Sequence, residues 1–225
     1  MWARSMSKVI AAVLLGPDEA DLWDICRPKA EEWADDIVVL HDEKGEAWGN
    51  ELPFRQQLWD MAMEACESSD WIFILDSDFI LTFDPHVLTD LYSPSWRFDL
   101  YDLWSPTHYR SDDWWYAHTM PRHWMLRAGN APMGPQWDRP NKYIHTGHIP
   151  TNYPTRVGIA PSRMAILHLG WYTPEIRQRK YDRYKREGIW DKLSGFQRKH
   201  VETVLDEEPT LEELPDNFKS CLKES

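Results

Sequence analysis

A chain of 225 residues with 42% hydrophobic side chains and a mean hydropathy of −0.62 is long enough to enclose a sizeable core and has the make-up of a soluble globular protein. A net charge of −12 argues against a broad electrostatic grip on nucleic acid, although it leaves room for a local basic groove, and no apolar stretch is long enough to span a membrane. Cys26, Cys66 and Cys221 are odd in number, widely spaced and without a metal-ligand pattern, which reads as reduced thiols in a cytoplasmic protein.

Residues 1–6 read as a disordered start. The first predicted strand is Lys8 to Leu15; it is too short, and too quickly followed by Gly16-Pro17-Asp18-Glu19, to be a signal-peptide core. Asp18 opens a helix over roughly Glu19 to Ala34, with Leu22, Ile25 and Cys26 as its apolar stripe and Pro28 as an interruption. Asp36 to Leu40 is a second buried strand ending in His41-Asp42-Glu43. After a loop with turn residues Gly45, Gly49 and Asn50, a helix covers about Pro53 to Glu67.

Trp71-Ile72-Phe73-Ile74-Leu75 is a continuous apolar run, the pattern of a strand covered on both faces in a parallel sheet. It ends in Asp76-Ser77-Asp78. In the order strand, helix, strand, helix, strand, right-handed crossovers bring all three strand ends to one edge, where open α/β sheets bind ligands. Two carboxylates this close repel each other and resist desolvation, so a site that keeps both ionised is read as a divalent metal site. Asp is also common in ordinary strand-to-loop turns, and Asp-x-Asp by itself is a weak motif.

Beyond it, Asp84-Pro85 turns the chain, Val87 to Tyr92 forms a short helix, and Phe98 to Trp104 alternates as a half-buried strand. Ser105 to Pro154 is dense in Trp, His, Pro and Arg with little periodicity, a length of irregular chain that usually carries function or conceals short strands. The 14 Trp residues offer flat faces suited to sugars, though core packing accounts for most of them. Met164 to Leu167 is a late strand leading into His168. Thr173-Pro174-Glu175 starts a helix that runs to about Arg186 and stops at Gly188, with Arg177, Lys180 and Tyr184 on one face. Phe196 to Ser225 reads as one helix and an acidic tail.

With these pieces in place, residues Lys8 to Lys192 resemble the family 2 glycosyltransferases of the GT-A fold. The likeness rests on the opening strand with its acidic turn, the Asp42 strand end, the Asp76-Ser77-Asp78 motif, and the late His168 before a basic helix. It implies a Rossmann-like α/β fold, a mixed sheet flanked by helices, with a catalytic domain over 1–192 and a C-terminal helix and tail over 193–225. It implies transfer of a sugar from a nucleotide-diphosphate donor, UDP-sugar favoured, to an acceptor hydroxyl on a saccharide, a protein or a modified nucleobase. Mn²⁺ or Mg²⁺ would be held by Asp78 first, then Asp76 and His168; the imidazole tilts the choice toward Mn²⁺. Asp42, Arg55 and Asp76 would contact the donor. Here His41-Asp42-Glu43, Gly16-Pro17-Asp18-Glu19 and Arg55-Gln56 depart from the family's usual residues, which bears on the donor base rather than on the metal.

A basic helix face can clamp a diphosphate, which assigns Arg177 and Lys180 to the donor, against the plain alternative of a solvated surface. If the transfer inverts the anomeric centre rather than retaining it, a base is needed, for which Asp112 and Asp113, flanked by Trp114 and Trp115, are the candidates, and equally candidates for a helix cap. His145 and His148 lack the Cys or Glu that would complete a metal site. Two rivals stand beside the transferase. One is a haloacid-dehalogenase-like phosphatase with Asp76 as nucleophile and Asp78 as acid; the other is a sugar-binding module without turnover.

Overall fold

The computed structural model describes residues 7–47, 50–91, 93–111, 125–137, 149–153, 157–186, 198, 201–205 and 209–222. The strands in the first half are β1 (Val9–Leu15), β2 (Asp36–His41), β3 (Trp71–Asp76), β4 (Phe79–Leu81), β5 (Ser95–Arg97) and β6 (Asp99–Asp102). Then come β7 (His108–Arg110), β8 (Met125–Arg127), β9 (Gly158–Ile159), β10 (Ala165–His168) and β11 (Leu211–Glu213). The α-helices among the described residues include α1 (Ala20–Glu31), α2 (Glu51–Glu64), α3 (Pro174–Arg186) and α4 (Asp216–Lys219). The protein is mixed α/β, in two compact units. One draws on residues 1–77, 83–98 and 122–162, the other on 78–82, 99–121 and 163–225.

The first unit is built on a six-stranded mixed sheet in the order β2-β1-β3-β8-β5-β9. β1 runs parallel to β2 and β3, pairing Leu15 with His41 and Leu14 with Asp76, so the three carboxyl ends share one edge as the alternation of strand and helix predicts. β3 needs no alternation because both of its faces are covered. Ile72 and Ile74 pack with Ala12 against Leu58, Trp59 and Ala62 of α2, while Phe73 meets Trp33 at 5.5 Å and stacks on Phe98 at 5.4 Å between ring centroids. Trp23, Trp33, Trp59, Trp71, Trp96 and Trp171 are all buried. Among the described residues, indole surface goes largely into packing.

Several local expectations change. α1 continues through Pro28, whose missing N–H would have met the Asp24 carbonyl; both residues lie on the exposed side, where water can serve that carbonyl. Its buried stripe is Leu22, Trp23, Cys26 and Ala30, and Ile25 is 50% exposed. The expected helix at 87–92 is instead a 3-10 turn, Pro85–Leu88, started by the Asp84 carboxylate accepting from the His86 N–H. The expected strand 98–104 is shorter, Asp99–Asp102, and pairs with β10 in the second unit; a separate strand just before it, Ser95–Arg97, pairs with β8 and β9 in the first.

The second unit holds a three-stranded sheet, β4-β10-β6, and the pair β11-β7. β10 is antiparallel to β4 and parallel to β6, which sets His168 beside Phe79 on one side and Asp102 on the other. β11 pairs Leu211 with Arg110 and Glu213 with His108, so part of the acidic tail enters this unit as a strand. Among the described residues no helix is long and apolar enough to cross a membrane.

Candidate functional site

The two carboxylates of Asp76-Ser77-Asp78 belong to different units and have different partners. In the first unit Asp76 closes β3 at the shared strand edge. Its Oδ1 accepts from Arg55 Nη2 at 2.7 Å, and Arg55 Nε donates to Glu51 Oε1 at 2.7 Å, one turn back on α2. Burial opposes the guanidinium charge, but Glu51 and Asp76 outweigh it and push the Arg55 pKa still higher. Arg55 is therefore a permanent cation between two acids. Its Nη1 is buried with no hydrogen-bond partner among the described residues. Ser77 Oγ donates to Glu19 Oε2 at 2.9 Å, and the same oxygen accepts from the Gly16 N–H at 3.1 Å, which ties the loop after β1 to the motif.

Asp42 lies at the same edge and is 3% exposed. Its Oδ1 accepts from the Glu46 N–H at 2.9 Å and its Oδ2 from the Ala47 N–H at 2.7 Å. These bonds close the loop that turns at Gly45, where φ is +72° and a side chain would strain the backbone. The carboxylate expected at a ribose or base is engaged in organising its own loop.

In the second unit Asp78 precedes β4, and its carbonyl accepts from the Leu169 N–H at 2.8 Å, extending the β4–β10 ladder past His168. Asp78 Oδ2 is 3.0 Å from His168 Nε2. On the far side of the ring, His168 Nδ1 is hydrogen-bonded to Asp102 Oδ1, and Phe79 stands edge-on to the imidazole at 5.2 Å. His168 and Asp102 are 4% and 3% exposed. Burial alone would depress the His168 pKa; the negative charges of Asp78 and Asp102 overcome both that and the Lys180 charge, and hold it at about 9.

The basic helix contributes unequally. Arg177 Nη1 donates to the Trp171 carbonyl at 2.5 Å and to the Trp104 carbonyl at 3.4 Å, with its guanidinium 3.8 Å from the Trp104 ring centroid. It staples the start of α3 to two aromatic turns. Lys180 Nζ lies 5.1 Å over the Trp171 ring and faces the Asp78–His168 corner. Tyr184, on the same helix face, is buried.

Sequence reasoning missed Asp102, Gly170 and Trp171. Asp102 was visible only as one acid in an alternating strand, and its place beside His168 depends on a parallel pairing across 66 residues. Asp112, Asp113, His145 and His148 lie outside the described residues. Among those described, no group of three or more His, Cys, Asp or Glu forms a metal cage. Asp78 Oδ2 and His168 Nε2 share a hydrogen bond here, and once the imidazole gives up its Nε2 proton they are a hard and a borderline donor side by side, with Asp102 fixing the ring from behind as metal-bound imidazoles require. That donor set fits a divalent ion whose remaining ligands come from a substrate. Neither a protein-family model nor a curated protein matches the chain.

Proposed function

We propose that the protein is a metal-dependent glycosyltransferase of the GT-A kind, moving a sugar from a nucleoside-diphosphate donor, UDP-sugar foremost, to an acceptor hydroxyl. The observation that supports this most is the Asp78–His168 corner, a carboxylate and an oriented imidazole at the end of strands, two residues from a second acid. In the reaction the acceptor oxygen bonds to the anomeric carbon, the bond from that carbon to the diphosphate oxygen breaks, and the acceptor proton passes to a base, for which Asp112 and Asp113 are the proposed residues. Mn²⁺ or Mg²⁺ bound here would neutralise charge gathering on the departing diphosphate.

This chain's residues have separable tasks. Asp78 and His168 would hold the ion, Asp102 keeps the ring in place, and Lys180 supplies a cation on the diphosphate side. Asp76 is held by Arg55 at the end of β3. Arg177, committed to Trp104 and Trp171, supports the helix that carries Lys180.

The test is a panel of nucleotide sugars with Mn²⁺, read by thermal shift and by release of nucleoside diphosphate, with an aryl phosphate alongside. A donor that binds the native state raises its melting temperature. A metal-dependent shift with at least one nucleotide sugar, absent in Asp78→Asn, is expected. Phosphate release from the aryl ester with no response to any nucleotide sugar would replace the transferase by a phosphatase, and sugar binding indifferent to chelator would replace it by a binding module.

A further inference from the structure

Gly170 has no side chain, and the reason is what surrounds it. A Cβ at this position would lie 2.4 Å from His168 Nε2, 2.6 Å from Lys180 Nζ and 2.8 Å from Asp78 Oδ2. An imidazole nitrogen, an ammonium and a carboxylate oxygen therefore converge on one point, in a space the size of a single coordination sphere. The three are not equally fixed. Asp78 is anchored through its carbonyl to Leu169, and His168 is the last residue of β10, locked by Asp102 and Phe79. Lys180 reaches in on a flexible four-carbon stem from the second turn of α3, its ammonium lodged over the Trp171 face.

We infer that Lys180 is the resident counter-cation of the Asp78–His168 corner, and that a divalent ion enters only with a diphosphate that draws the ammonium out. The inference rests on the metal reading given above. An ammonium within one coordination sphere of both donors repels an incoming dication, so the ion alone binds weakly. A diphosphate supplies oxygens to the ion and gives Lys180 a charge-assisted partner outside the sphere. Metal and diphosphate then bind with positive coupling, which linkage requires to be equal in both directions. Such a site would hold little metal until the donor arrives.

The experiment measures Mn²⁺ binding to the full chain from the paramagnetic resonance signal of the free aqueous ion, with and without UDP, and with GDP in a parallel series. Wild type, Lys180→Met and Lys180→Arg are compared. Lys180→Met should bind Mn²⁺ alone at least fivefold more tightly than wild type, and the factor by which UDP improves Mn²⁺ binding should shrink. Lys180→Arg keeps the charge and should bind Mn²⁺ alone as weakly as wild type, which separates charge from a packing change. If Lys180→Met binds Mn²⁺ alone no better than wild type while UDP and Mn²⁺ together still bind through Asp78, Lys180 is not the counter-cation and the metal reading survives. If neither nucleotide brings Mn²⁺ onto wild type, and Lys180→Met binds none either, the metal reading itself falls and takes this inference with it.

Discussion

Asp76 and Asp78 are two residues apart, yet their surroundings solve the problem of a partly buried carboxylate in opposite ways. Asp76 faces a guanidinium that cannot lose its proton and that is gripped from the other side by Glu51. Asp78 faces an imidazole, which can lose its proton, and lies near an ammonium carried on a flexible stem. A fixed partner makes structure, whereas an exchangeable partner leaves a site open to a ligand. On this contrast the first acid of the motif is chiefly a brace and the second is where ligand chemistry is to be sought.

The sharpest way to break the contrast is to remove the fixed cation. Arg55→Met should destabilise the protein by about 3 kcal/mol, the usual cost of stranding a buried charge, read as a lower urea midpoint. Arg55→Lys should recover part of this, because an ammonium cannot reproduce the two-acid fork. A loss below about 0.5 kcal/mol in Arg55→Met would mean that the pair is an ordinary surface contact.

On the exchangeable side, Gly170→Ala forces a methyl group among His168, Lys180 and Asp78. A cost of about 1–3 kcal/mol is expected from overpacking, together with loss of the Mn²⁺-dependent thermal shift. The Lys180 end can move away, but Asp78, tied through its carbonyl to Leu169, and His168, in β10, are held by the β4–β10 ladder. Full retention of the shift would show that the space beside Gly170 is not the ligand's.

The smallest expected effect is a control away from both carboxylates. His86 bridges Asp35 Oδ2 and Asp84 Oδ1 at 2.8 Å each. Burial works against its charge, but hydrogen bonds to the two acids raise its pKa above the ordinary imidazole value. A raised folded pKa contributes stability that is whole below about pH 6.5 and is lost as pH climbs through the folded value. His86→Gln should therefore flatten the decline in melting temperature above pH 6.5, by an amount equivalent to about 1 kcal/mol or less for so exposed a cluster. An unchanged slope would assign that decline to other groups.

How far the sequence exposed all this depends on the range of the interaction. β3 was readable because cover on both faces leaves an unbroken apolar run, and α3 because Thr173 and Pro174 mark its start, with Thr173 Oγ1 accepting from the Ile176 N–H at 3.3 Å. The three-residue strands β5, β7 and β8 were not, since three residues are too few to show a period. Ile25 and Pro28 misled because an apolar residue can sit on a wet helix face and a Pro can be tolerated there. Asp42 was singled out by its position at a strand end, and its bonds to the N–H groups of Glu46 and Ala47 could not be read from that position. Asp78 and His168 were both singled out from sequence, but their meeting across 90 residues, and Asp102 behind them, follow from strand pairing that no local pattern encodes.

What occupies the corner between Asp78 and His168 decides the function of this site. Crystals grown with Mn²⁺ and UDP, with data collected at the manganese absorption edge, would show it directly. An anomalous peak within bonding distance of both Asp78 Oδ2 and His168 Nε2, and touching a phosphate oxygen, is the predicted result. A bound nucleotide with no manganese at these two atoms, or manganese held elsewhere in the chain, would contradict it.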